Sequence, residues 1–131
     1  MGLNEFVDFY GRVPDELMIV ILNSADVCVN PDKPTEMNNL STMNKIMEYM
    51  ALKKPIVQYD LKEGRYSAQE ASLYAECGDI KDFADKIIQL IDNPEQRVKM
   101  ADYGYKRVIN ELSWDYESIK LINFYKSILS R

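Results

Sequence analysis

The chain has 131 residues, with 21 acidic and 16 basic side chains, a formal net charge of −5 and no run of Lys or Arg, so nucleic acid is excluded as an expected partner. A hydrophobic content of 47% suits one domain with a sizeable core. The absence of histidine removes the usual zinc ligand and the usual general base near neutral pH, so no metal site and no catalytic residue is assigned.

The longest purely apolar run, residues 17–22, is far short of the roughly 20 residues that span a bilayer, and no signal-peptide pattern opens the chain. A cytoplasmic domain without a transmembrane segment is expected. Cys28, in the apolar run Val27-Cys28-Val29, and Cys77, in the turn-like Glu76-Cys77-Gly78, then read as reduced thiols.

In chain order, residues 6–10 predict a strand, and Pro14 followed by Asp15 and Glu16 opens a helix over 14–24. Residues 27–30 read as a buried strand, followed by a polar loop with Pro31 and Pro34 and a helix from about 41 to 52. Further strands are expected at 55–59 and 72–75, separated by a loop containing Gly64. Alternating strands and helices imply parallel pairing and an α/β class, here a Rossmann-like parallel sheet flanked by helices over 5–76. An all-helical tail over 79–131 completes the single domain. Asp79 caps its first helix, with Phe83, Ile87, Leu90 and Ile91 at helical spacing. Asn93-Pro94-Glu95-Gln96 restarts the chain, and Ala101, Tyr105, Val108 and Leu112 form the next stripe. Ser113 opens the last helix, with Leu121, Ile122, Tyr125, Ile128 and Leu129 as its buried stripe. Tyr103, Tyr105, Tyr116, Tyr125 and Trp114 read as packing residues.

The segment from Ser41 to Ala51 separates into two faces at 100° per residue. Met43, Ile46, Met47 and Met50 face the sheet. Ser41, Lys45 and Glu48, at i, i+4 and i+7, fall on the opposite side. The free N–H groups and positive dipole end near Ser41 attract an anion, and Lys45 adds a point charge. Because this helix follows the strand at 27–30, its start lies where ligands of open α/β sheets bind. The competing reading makes Lys45 and Glu48 a solvated i, i+3 pair worth a few tenths of a kcal/mol.

Several blocks resemble the glycosyltransferase group 1 family, also called family 4, with a GT-B fold, over nearly the whole chain. They are Phe9-Tyr10-Gly11-Arg12-Val13-Pro14, Ala25-Asp26-Val27-Cys28-Val29-Asn30-Pro31, and above all Asn44-Lys45-Ile46-Met47-Glu48-Tyr49-Met50-Ala51-Leu52-Lys53-Lys54-Pro55-Ile56-Val57. Asp92-Asn93-Pro94-Glu95-Gln96-Arg97 and Glu111-Leu112-Ser113-Trp114 add to them. The resemblance implies that Glu48 binds the ribose hydroxyls of a nucleotide and that the backbone N–H groups of Ser41, Thr42 and Met43 approach its diphosphate. It makes Lys45 a phosphate or structural lysine and sets Gly11, Arg12 and Val13 near the base, where the residues alone read equally as a glycine turn with a solvated arginine. Asp60, Glu63 and Arg65 either line the cleft or solvate a loop. The sequence departs from the pattern at Leu40, where many members carry a glutamate that contacts the donor sugar.

What the resemblance implies is a retaining transfer of sugar from a nucleotide diphosphate donor to a glycan or lipid-linked acceptor, in polysaccharide biosynthesis. No cofactor is needed beyond the donor substrate. The chain corresponds to part of the C-terminal, donor-binding half, so an N-terminal half is the expected partner and the fragment alone is expected to be inactive. In a full-length enzyme the location would extend to the inner membrane face. The final helix, which in the family packs on the first half, would expose its apolar side and favour a homodimer. A non-catalytic α/β nucleotide- or phosphate-binding module, or a subunit of a split enzyme, is the alternative.

Overall fold

The computed structural model describes residues 2–129. Its centre is a three-stranded sheet of β1 (Cys28–Asn30), β2 (Ile56–Tyr59) and β3 (Ser72–Ala75), in the order β1-β2-β3. Both pairings are parallel, with Cys28 opposite Ile56 and Ile56 opposite Ser72. Parallel neighbours require crossovers, and α1 (Asp15–Ser24), α2 (Glu36–Leu40), α3 (Asn44–Ala51), α4 (Lys62–Ala68) and α5 (Ile80–Ile91) surround the sheet. The chain then continues through α6 (Pro94–Arg107), a π-helical turn (Val108–Leu112) and α7 (Trp114–Leu129). The α/β class and the helical tail are as read from the sequence.

Each sheet face carries its own core. On one, Ile46 and Met50 of α3 pack with Ile56, Ala68 and Ala71. On the other, Val57 and Ala75 pack with Phe83 and Leu90 of α5 and Met100 of α6. Gly104 lets α6 approach closely: a Cβ there would stand 2.9 Å from both Ala71 Cβ and Met50 Cγ.

Three cations tie helix C-termini to the end of the sheet where the strands begin. Lys54 Nζ donates to the carbonyls of Asn23 and Ala25 at 2.8 and 3.0 Å, closing α1. Arg97 donates to Leu90 and Ile91 at the end of α5, both at 2.7 Å. Arg107, 6% exposed, donates to Ser67 and Tyr66 at the end of α4, both at 2.9 Å, and pairs with Glu111. Carbonyls left over at a helix end are thereby satisfied by positive charge, the sign that the macrodipole favours. The end of α3 instead folds into a Schellman motif, with Lys54 N–H donating to Tyr49 O and Lys53 N–H to Met50 O. Lys53 takes the left-handed position at φ 55°.

Four expectations are corrected. Residues 6–10 form no strand: Phe6 closes a turn by donating its N–H to Leu3 O, and residues 7–10 have no regular structure, with Phe9 93% exposed, because no neighbouring strand offers them a ladder and β-propensity alone does not hold a strand. The helix expected from Ser41 to Leu52 is two helices, since Ser41 ends α2 in an extended conformation and α3 begins at Asn44. The expected loop around Gly64 is largely α4 and a 3-10 turn (Gln69–Ala71). Finally, the stripe of Leu121, Ile122, Tyr125, Ile128 and Leu129 on α7 is not buried but exposed, the outcome that the family resemblance implied for this helix, and no described residue of it is buried.

Both thiols are free, Cys28 buried and Cys77 exposed. Burial pushes the Cys28 thiol up to about 11, opposed by Lys54. Iodoacetamide at a pH of about 8 is therefore expected to alkylate Cys77 and spare Cys28 in the folded protein, as read by peptide mass spectrometry. Equal labelling of the two would contradict the packing of β1.

Candidate functional site at the carboxyl edge of the sheet

The strands of a parallel sheet all end on one side, and here β1 is followed by α2 and then α3, β2 by α4, and β3 by α5, so these helices start from that edge. Two contacts locate α3 there: Lys45 Nζ lies 2.8 Å from Asp32 Oδ2, just beyond β1, and Thr42 Oγ1 donates to Glu63 Oε2 of α4 at 3.2 Å.

The four helix starts differ. Thr35 caps α2 by accepting from Asn38 N–H, with Glu36 in the first turn. Asp79 caps α5 by accepting from Asp82 N–H, with Asp82 in the first turn. No side chain caps α4, which has Glu63 in its first turn. Only α3, among these, has neither: its N-cap is Met43, no side chain closes it, and its first turn carries Lys45 and no carboxylate. Its positive dipole end is thus the least neutralised by its own residues.

Residues named from the sequence scatter around this helix start. Met43 and Thr42 precede it directly, and Ser41 lies one residue further back, where its hydroxyl donates to Met37 O at 2.6 Å. Ser41 therefore does not share a helical face with Lys45 and Glu48, as the spacing had suggested. Glu48 is exposed on α3 and its carboxylate makes no hydrogen bond or ion pair among the described residues, so it and Lys45 do not form the i, i+3 pair. Lys45 is turned to Asp32 instead. Gly11, at φ 62°, and Arg12 are exposed and Val13 is half-buried. Among the described residues no hydrogen bond or ion pair joins these three to α3.

Sequence reasoning missed several polar groups at this edge. Asn30 and Gln58 sit opposite each other at the ends of β1 and β2, 3% and 1% exposed, and their Oδ1 and Oε1 accept no hydrogen bond. Gln58 Nε2 donates to Gly64 O at 3.3 Å, and a Cβ on Gly64 would stand 2.5 Å from Gln58 Oε1, which is why glycine occupies that place in α4. A polar residue at a strand end inside an apolar run was the available signal. Arg65 grips Asp60 bidentately at 2.6 and 2.7 Å and lies over the Tyr74 ring, holding the Asp60 carboxyl below its usual range. These two residues therefore neutralise each other.

Two clefts open beside the helix starts. One of about 230 Å³ is lined by Pro34, Thr35, Asn39, Asp60 and Cys77, and one of about 360 Å³ by Thr42, Met47, Tyr66, Leu112, Glu117 and Lys120. A third, of about 570 Å³, lies away from this edge between α6 and β3, with Leu73, Met100 and Tyr103 on its walls.

An uncapped helix start beside the end of a parallel strand, with a lysine in its first turn and an unpaired carboxylate one turn on, is the local geometry; the sequence comparison supplies the family. Residues 1–93 match the family model described as glycosyl transferases group 1. The chain belongs to this family. It is also 25% identical over 130 residues to a D-inositol 3-phosphate glycosyltransferase of Corynebacterium urealyticum (strain ATCC 43042 / DSM 7109), covering 98% of this chain and 29% of that protein. No solved structure matches. The matched segment of this group 1 glycosyltransferase chain takes in the sheet, α1 to α5 and every candidate site residue named from the sequence. No helix among its described residues is long and apolar enough to cross a membrane.

Proposed function

We propose that this chain contributes the donor-binding surface of a retaining glycosyltransferase that takes sugar from a nucleotide diphosphate. The start of α3 receives the diphosphate through the N–H groups following Thr42 and Met43, and the Glu48 carboxylate accepts hydrogen bonds from the ribose diol. The observation that carries this reading is the contrast among the four helix starts, of which α3 alone lacks both a cap and an acidic first turn. Free N–H groups at such a tip bind oxyanions, and the same groups would stabilise charge growing on the departing diphosphate. An exposed carboxylate one turn further on has both oxygens available to a diol.

Leu40 leaves the sugar without the glutamate that many relatives present, so sugar contacts fall to Thr42 and to residues of a partner half. That half also holds the acceptor, a glycan or a lipid-linked molecule. Alone, the chain binds nucleotide weakly and does not turn over.

Calorimetric titration with uridine, guanosine and adenosine diphosphates tests the assignment. At least one is expected to bind saturably, and Glu48→Ala is expected to weaken that binding about tenfold or more without changing thermal stability. Unchanged affinity in Glu48→Ala would remove Glu48 from the site.

A further inference from the structure

Lys45 already has an anion. Its ammonium lies 2.8 Å from Asp32 Oδ2, in the loop between β1 and α2, with the two side chains 38% and 25% exposed. The manner of this pairing differs from the other carboxylates near this edge. Asp60 is held bidentately by Arg65. Asp79 accepts from Asp82 N–H, and Asp82 accepts from Glu76 N–H and from Lys86. Asp32 Oδ2 is shielded from solvent, and the Lys45 ammonium is its one contact: among the described residues no backbone N–H or second side-chain donor reaches it. A carboxylate meant to fix a lysine would be anchored by such donors. This one is held by a single ammonium, a point charge, so an incoming oxyanion has one contact to displace.

We infer that Asp32 is a built-in competitor for the anion at the start of α3, occupying Lys45 until a diphosphate displaces it. The inference rests on the reading of α3 given above and adds to it a residue that sets affinity. Before ligand arrives, Asp32 neutralises Lys45 and keeps the partly buried ammonium paired. When a diphosphate reaches the first-turn N–H groups of α3, Lys45 exchanges one oxyanion for another, and the Asp32 carboxylate is left beside a like charge. The chain therefore binds diphosphates less tightly than its helix start and lysine would allow, which favours release of a nucleoside diphosphate product.

The test titrates the full chain with uridine diphosphate and with inorganic pyrophosphate, comparing wild type with Asp32→Asn and Asp32→Ser, with melting curves to establish that each variant is folded. Both variants are expected to bind both probes about fivefold more tightly than wild type, because removing the competitor removes one like charge. Two variants are used because a side chain of different size at position 32 controls for altered loop packing. Wild-type binding with unchanged or weaker affinity in both folded variants overturns the competitor role, making Asp32 a support for Lys45, and leaves the reading of α3 standing. No saturable binding of either probe, nor of guanosine or adenosine diphosphate, by any of the three proteins overturns both.

Discussion

Replacing Arg107 by alanine is expected to lower the free energy of unfolding by about 3 kcal/mol, since each buried carbonyl stripped of its partner costs on the order of 1–3 kcal/mol. The guanidinium bonds Tyr66 O and Ser67 O at the end of α4 and pairs with Glu111, so one side chain links α4 to the π-helical turn. Exposed Glu111 regains water when the arginine is gone, and the buried Ser67 carbonyl does not. Arg107→Lys is expected to lose roughly half as much, because an ammonium cannot reproduce the planar fork. Urea denaturation monitored by circular dichroism measures both, and a loss below about 1 kcal/mol for Arg107→Ala would mean that the carbonyls find other donors.

A comparable loss, again about 3 kcal/mol, is expected for Gly104→Val. Its Cβ would stand 2.9 Å from the Cβ of Ala71 and 3.3 Å from that of Met50, and neither atom is the end of a flexible chain. Helix α6 must then move away from the Ile46, Met50 and Ala71 core, and overpacking of this kind outweighs any gain in helix propensity. Gly104→Ala is expected to cost less, since its methyl, though equally close to Ala71 Cβ and Met50 Cγ, lacks the two further methyls of valine and gains helix propensity. Differential scanning calorimetry of the two variants orders them; a valine variant as stable as wild type would show that α6 is not pinned against the sheet.

What was legible in the sequence follows the distinction between local and distant causes. Asp79 and Asn93 cap the helices that their spacing announced, because a cap is an interaction within four residues. The strands around Cys28, Ile56 and Ser72 were readable as apolar runs between turn residues. Ser41 reads as a helix start because the apolar stripe of Met43, Ile46, Met47 and Met50 gives no sign that the backbone is extended at Ser41 and Met43. The short helix α2 has only five residues, too few for a period, and its cap Thr35 reads as part of a proline loop. Gly64 reads as a loop residue until Gln58, buried beneath it, explains why a helix there has no side chain at that position. At the candidate site, the residue types and the position of Lys45 and Glu48 on one helix came from spacing. The attachment of Lys45 to Asp32 joins positions thirteen apart through the loop after β1, and no periodicity encodes it.

The cationic closures at Lys54, Arg97 and Arg107 and the open start of α3 lie toward opposite rims of the same sheet. Selection can therefore act on robustness and on ligand preference through separate sets of positions. Substitutions on the rim where strands begin change how long the molecule survives heat or denaturant, while those around Asp32, Lys45 and Glu48 retune what it holds, with little cross-talk between the two.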